Sequence, residues 1–274
     1  MGFRVKHLKG AIATVLLSGV CAIADTLPSL AGGFTQPKNF NFTSLSYSNF
    51  DTDTFHKQEI QFYLEHGLQD NLTFIFKSPF AWSKNDDRGG DENSGFAPQE
   101  TGIRWRFNRD PYWATALQAN IILPLGYDAD DDPSGAGNQD VGVEVSLPVS
   151  RGFQVGKQRF GYGTVEVGYR DYFGASSDEL RLTGELSVDI LRRFALATQF
   201  YGIYRLRESD NEDFSKIGGQ MRWGANDNLT LSVGGFKNLT EFGGSFEAQI
   251  WYTFGSGKKA ESETPAPPTE PKSP

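Results

Sequence analysis

The sequence predicts an all-β protein, an antiparallel transmembrane β-barrel of about twelve strands with a signal peptide before it and a disordered tail after it. Three observations carry this. Strand-length segments with alternating apolar and polar positions recur along the chain. The connections between them switch between tight turns and longer polar loops. The last segment, "FEAQIWYTF", places Phe246, Ala248, Ile250, Tyr252 and Phe254 on one face. Several segments run to ~10–13 residues, about what a tilted membrane-crossing strand needs and longer than the usual strand of a soluble protein.

Residues 1–31 read as the signal peptide. Arg4, Lys6 and Lys9 precede an apolar run from Ala11 to Ala24 that is too short to span a bilayer as a helix. Ala22-Ile23-Ala24 and Ser29-Leu30-Ala31 both offer small residues for cleavage, and the domain boundary is drawn after Ala31. Ser18-Gly19-Val20 is a poor lipobox for Cys21, so the cysteine is expected to leave with the leader and the mature chain to lack disulfides. The cut removes Arg4, Lys6, Lys9 and Asp25, taking the formal charge from −8 to −10. No basic face results, so no nucleic-acid partner is expected.

Within residues 32–254 the alternation gives strands over 40–50, 55–66, 72–83, 99–108, 113–127, 139–148, 160–173, 179–190, 194–206, 215–224, 229–237 and 242–254. The first is the least regular. The eighth is the clearest, with Leu180, Leu182, Gly184, Leu186, Val188 and Ile190 opposing Arg181, Thr183, Glu185, Ser187 and Asp189. In the third, Leu72, Phe74 and Phe76 oppose Thr73, Ile75 and Lys77, and the eleventh repeats the pattern. Both follow an Asp-Asn pair, in "LQDNLTFIF" and "ANDNLTLSV", because these residues bond their own backbone in tight turns. The connections after strands 2, 4, 8 and 10 are tight. Those after strands 3, 5 and 9, "KNDDRGGDENSGFAP", "DADDDPSGAGN" and "RESDNEDF", are long and acidic. The connection after strand 6, "VSRGFQVGKQR", is longer than this pattern predicts.

Aromatic residues near strand ends fit interfacial girdles: Trp82, Trp105, Trp113, Tyr127, Tyr172, Phe173, Phe194, Tyr204, Trp223 and Tyr252. The terminal strand ending at Phe254 resembles the targeting strand of bacterial outer-membrane proteins, which implies recognition by the barrel-insertion machinery. Residues 255–274, rich in Pro, Glu and Ser, have nothing with which to build a core. The expected location is therefore the outer membrane of a Gram-negative bacterium, with membrane lipids and lipopolysaccharide as partners.

Two stretches resemble the little-characterised XagA-like outer-membrane barrels of proteobacteria. One is the Gly-aromatic-Thr-Gln-Pro-Lys start from Gly33 to Lys38. The other is the Tyr-Leu-Glu-x-Gly-Leu-x-Asp-x-Leu-Thr segment from Tyr63 to Thr73. Phe34 and His66 depart from the family's pattern, which has Trp and an aromatic there. The resemblance implies a barrel in the outer membrane and a link to exopolysaccharide export. It brings no catalytic motif.

Alternation assigns the lumen. The acidic positions are Glu59, Glu65, Glu144, Glu166, Glu185, Asp189 and Glu247; the basic ones are Lys77, Arg104, Arg106, Arg170, Arg181, Arg205 and Arg222. The candidate pore-lining set is Lys77, Arg104, Arg106, Glu144, Glu166, Arg170, Arg181, Glu185, Arg205, Arg222 and Glu247. Arg170, Arg181 and Arg205 come from successive strands and read as a basic ladder. Arg104 and Arg106 read as pairing with Glu144 or other lumen carboxylates.

"DADDDPSGAGNQD" (128–140) has acidic residues at alternate positions but Pro133 and Gln139 where a calcium loop wants Gly and Glu, so no metal is expected. Outside the leader only His56 and His66 remain, at opposite ends of strand 2 and with no recognisable serine motif. No enzyme and no cofactor are expected. The reading is a channel for small polar solutes, saccharides among them. The alternative is a structural or export-associated barrel whose opposed charges close the lumen.

Overall fold

The computed structural model describes residues 32–86, 90–108, 110–128, 139–156, 159–174, 176–206, 213–240 and 243–255. The signal peptide, the tail beyond Gly255 and most of the acidic 128–140 stretch lie outside them.

Twelve strands follow in order: β1 (Phe40–Thr52), β2 (Phe55–Gln69), β3 (Leu72–Asn85), β4 (Asp91–Arg106), β5 (Trp113–Leu125), β6 (Gly142–Val155), β7 (Arg159–Tyr172), β8 (Glu179–Leu191), β9 (Phe194–Arg205), β10 (Phe214–Gly224), β11 (Leu229–Asn238) and β12 (Gly243–Gly255). Each pairs antiparallel with its chain neighbours, and β1 pairs with β12 from Phe40↔Gly255 to Thr52↔Gly243, closing the barrel. Closure leaves no sheet edge, as a strand-built membrane protein requires.

The alternation resolves into two surfaces. Leu45, Phe62, Ile103, Ile121, Val145, Val165, Leu186, Leu196, Val233 and Ile250 are exposed on the outside. The buried polar residues, among them Glu65, Thr73, Arg104, Asn120, Arg170 and Arg222, turn inward. A closed barrel with an apolar exterior and a charged interior is an outer-membrane protein. The start of β1 at Phe40 and the end of β12 at Gly255 then sit with the tight turns at the periplasmic end. Trp105, Trp113, Trp223, Tyr252 and Phe254 are exposed there, while Trp82 and Phe173 are exposed near the other rim, as girdles require. Two expected girdle members go elsewhere. Tyr127 and Tyr172 are buried: Tyr127 packs with Ala81 and Ala97, and Tyr172, two residues after lumen-facing Arg170 on β7, shares its inward parity.

Three boundaries differ from the sequence reading. β4 begins at Asp91, so much of the long loop expected after β3 is strand. Pro98 and the run Asp91–Gly95 hide this strand from propensity. A bulge between Lys77/Phe80 and the facing Phe96/Glu100 then shifts its inward parity, leaving Ala97, Pro98 and Gln99 all buried. β6 continues to Val155, which shortens the connection to β7 to residues 156–158 and restores the tight-turn rule. The first strand is as regular as the others, because β12 and β2 pair with it on both sides.

The two Asp-Asn turns differ in their bonding. At the β10–β11 turn the Asn226 side chain accepts the Asn228 and Leu229 amides at 2.9 Å each. At the β2–β3 turn the Asp70 carboxylate instead accepts the Lys38 amide at 3.0 Å. It is committed to a segment that no strand pattern announced, residues 32–39.

Val165 sits near the middle of β7 facing lipid, beside lumen-facing Thr164. Val165→Arg is expected to lower folding stability by ~2–4 kcal/mol, the cost of a cation at the bilayer midplane. Urea-dependent folding into lipid vesicles measures it.

Candidate functional site

The site is the lumen, and residues 32–38 form its periplasmic floor. This strap runs inward from β1 across the barrel to β6 and β7. Asn39 turns it with a positive φ of 64°, and the Asn39 amide donates to the Gly67 carbonyl at 2.8 Å. Thr35 Oγ1 donates to the Asp70 carbonyl (2.7 Å), the Gln36 amide to Thr73 Oγ1 (2.8 Å), and Gln36 Nε2 to Glu65 Oε2 (2.7 Å). At the far side the Gly33 amide donates to Ser150 Oγ at 2.8 Å. Phe34 packs with Ala114 and Tyr162 in a small apolar cluster under the lumen. Gly67 admits the strap, since a β-carbon there would lie 1.9 Å from the Pro37 carbonyl oxygen.

Glu65 is the hub of this floor. It accepts hydrogen bonds from Tyr63 (2.6 Å), Gln36 and Arg104 Nη1 (2.8 Å). Arg104 reaches past β3 to do so. It also donates to Gln118 (2.9 Å) and to the Phe34 carbonyl (3.2 Å). Arg106, nearer the rim, lays its guanidinium 5.0 Å from the Phe34 ring centroid and donates to carbonyls of the β4–β5 turn. The pair was expected to meet Glu144 or other lumen carboxylates. Arg104 meets Glu65, and Arg106 meets backbone and an aromatic face.

A second network crosses the lumen higher up. Arg170 pairs with Glu144 at 2.8 Å and, across the positions of β5 and β6, with Glu100 at 2.9 Å. Lys77 joins Glu100 at 3.3 Å, and Arg181 joins Glu144 at 3.2 Å and Glu179 at 3.8 Å while donating to the Tyr201 hydroxyl. On the far wall Arg222 spans β9 to bind Glu185 (2.7 Å) and the Tyr162 hydroxyl (2.6 Å), stacked 4.7 Å from the Trp251 ring centroid. Glu247 accepts from Lys216 and Gln220, each at 3.2 Å. Arg104–Glu65, Arg170–Glu100, Arg181–Glu144, Arg222–Glu185 and Lys216–Glu247 tie strands that are not neighbours, so they fix the lumen's shape as well as its charge. Such pairs give a little net stability, and breaking one strands a charge.

The lumen holds a cavity of about 450 Å³ lined by Gly32 of the floor and by several of these charged residues. Lys77, Glu100, Arg170 and Arg181 form one wall. Phe50, Phe214 and Tyr201 form an aromatic wall, with ring centroids 5.7 and 6.2 Å apart. Glu166, Glu185 and Glu247 also line it. Arg205 does not. It lies in the register opposite Glu179 at the extracellular end of β9, its amide bonded to Asp213 at 2.8 Å, so the basic ladder stops at Arg181. Arg170 and Arg181 share one carboxylate rather than offering a bare cationic wall.

Other lining residues escaped the sequence reading. Glu100 has the parity of Arg104 and Arg106 but adjoins the residues read as loop. Lys57 and Lys216 lie on inward positions that alternation marks. Phe34 and Gln36 carry no strand signal. At the extracellular rim His56 meets Asp51 at 2.9 Å and Asp86 at 3.5 Å. The Lys84 hydrogen bond holds the Asp86 carboxyl below the usual carboxylate range.

No family model matches the chain, and no curated protein matches it. Among solved structures it is similar to the KdgM porin, at 12% identity and a TM-score of 0.48 over 77% of this chain and 99% of that one. It is similar to LpxR from Salmonella typhimurium at 11% and 0.47, over 78% and 100%. The beta domain of the Bordetella autotransporter BrkA gives 11% and 0.48, over 79% and 100%.

Arg104→Ala would leave Glu65 buried without its cation and is expected to lower stability by ~3–5 kcal/mol. Arg106→Ala, nearer the rim, is expected to cost no more than about 1 kcal/mol. Equilibrium unfolding of the two variants in one detergent tests the ranking.

Proposed function

We propose that this outer-membrane barrel is a narrow channel for small polar solutes, saccharides among them, with the strap as its periplasmic floor. The observation that carries the reading is the cavity of about 450 Å³ with an aromatic wall and a charged one. Its size falls within the ~300–1,000 Å³ of small-molecule sites. A sugar ring presents C–H groups that pack on Phe50, Phe214 and Tyr201 and hydroxyls that bond to Lys77, Glu100, Arg170 and Arg181. The charges are paired at fixed spacing, so they orient a neutral solute without binding it too tightly to leave. The protein acts in this reading without catalytic chemistry or cofactor.

The XagA-like resemblance belongs to the same proposal. The stretches that carry it are the strap (Gly33–Lys38) and the wall on which the strap lies (Tyr63–Thr73). Glu65, Gly67, Asp70 and Thr73 of the second each receive or admit part of the first. The resemblance thus rests on residues that touch, and with it the link to polysaccharide export is retained. Lipid and lipopolysaccharide partners and insertion through the strand ending at Phe254 complete the proposal.

A closed structural barrel is the second reading, favoured by the strap and by the chords of ion pairs. Single-channel recording in planar bilayers separates the two. The intact protein is expected to give small discrete steps, and deletion of residues 32–38 is expected to raise step size severalfold. Arg181→Glu is expected to move selectivity toward cations. Silence from folded, inserted protein with and without the strap would establish the closed barrel.

A further inference from the structure

Two lumen carboxylates among the described residues, Asp189 and Glu166, form no ion pair, and Asp189, near the periplasmic end of β8, accepts the Phe160 backbone amide. Among the described residues, Glu59, Glu65, Glu100, Glu144, Glu179, Glu185 and Glu247 each have a lysine or arginine partner. Glu166 has none, although it faces the cavity from the middle of β7. The Ser146 side chain stands in hydrogen-bonding position to it, and Arg104, Arg181 and Glu144 are the charges that act on it, none of them as an ion pair. Leaving a carboxylate in such a site without a cation is costly.

What lies against Glu166 is the start of the strap. A β-carbon built on Gly32 would sit 3.3 Å from Glu166 Oε2, 3.2 Å from Thr164 Cγ2 and 3.4 Å from Pro148 Cβ. The Gly32 α-carbon, one bond from that position, therefore lies close to the carboxylate, and rotation about its Cα–C bond can bring the nitrogen it carries to Glu166. Gly33 is fixed in place by Ser150, which also bonds Thr164 at 2.9 Å. As an ordinary peptide amide, that nitrogen carries no charge. Freed by cleavage after Ala31, it is a primary ammonium.

We propose that signal cleavage after Ala31 supplies the missing cation: the new α-ammonium of Gly32 pairs with Glu166 inside the lumen and pins the strap. Processing breaks the Ala31–Gly32 peptide bond by hydrolysis, leaving a carboxylate on the leader and a protonated amine on the barrel. The pin thus exists only in the processed chain, which ties closure of the periplasmic floor to completed export. The inference is independent of whether the lumen conducts.

The test uses full-length protein expressed with its own leader and extracted folded from outer membranes. Intact mass is expected to give a chain beginning at Gly32. Brief acetylation with an N-hydroxysuccinimide ester at neutral pH, read by mass spectrometry of the N-terminal peptide, then reports the amine's state. An ammonium held by a carboxylate is a poor nucleophile, so the Gly32 amine is expected to react at least about tenfold more slowly than in unfolded protein. Glu166→Gln is expected to abolish most of that protection, with folding verified by heat-modifiable gel migration. Insertion of one Ser between Ala31 and Gly32, which moves the ammonium without touching the wall, is expected to do the same and covers the case of a misfolded Gln variant. A mature chain that starts elsewhere would overturn the proposal. So would equal reactivity of the Gly32 amine in the wild type and in the folded variant.

Discussion

Every backbone N–H and C=O that crosses a bilayer needs a partner within the protein, and the β1–β12 seam is what allows strands to meet that demand here, no helix among the described residues being long and apolar enough to cross a membrane. Once the seam closes, the backbone is satisfied strand to strand, and side chains sort by parity alone. One parity meets lipid and must be apolar. The other meets a lumen too narrow to hydrate every charge and must be polar and paired. The exterior belt, the aromatic girdles and the inward charges all follow from that division.

The lumen meets its own constraint with chords. Arg104–Glu65, Arg170–Glu100 and Arg222–Glu185 each join strands that are not hydrogen-bonded neighbours. A cross-lumen pair restrains the barrel's cross-section in a way that a same-ladder pair does not. Bidentate-capable arginine suits this work better than lysine, because its planar fork satisfies two acceptors at once. Arg170 does this with Glu144 and Glu100, and Arg104 with Glu65, Gln118 and the Phe34 carbonyl.

The strap adds a layer that no barrel rule demands. It trades solvent for wall: Thr35, Gln36 and Lys38 satisfy their polar groups on the β2–β3 hairpin, and Phe34 caps the floor with apolar surface. The carboxylate of Asp70 shows the trade in one residue. At the β10–β11 turn the Asn226 side chain closes the turn ahead of Asp227-Asn228, whereas at the β2–β3 turn the Asp70 side chain is given to the strap.

The strands, their order, the faces of Lys77, Arg104, Glu144, Arg170, Arg181, Glu185, Arg222 and Glu247, and the membrane-facing belt were legible in the sequence, because a period of two is local and a membrane enforces it on every strand. The β4 bulge was not, because one extra residue among Ala97, Pro98 and Gln99 inverts parity without leaving a compositional trace. Tyr127 and Tyr172 have the composition of girdle residues, but Tyr172 carries the inward parity of Arg170, and Tyr127 packs on Ala81 and Ala97. Which carboxylate each arginine takes was not legible either, since Arg104 chooses Glu65 over Glu144 by distance across the lumen. Nor was the strap: Gly33–Lys38 has no periodicity, and Gly67 gains its meaning only when Pro37 passes over it. Alternation specifies a wall, while the filling of a closed lumen depends on which residues curvature brings face to face, and that is decided only when the barrel closes.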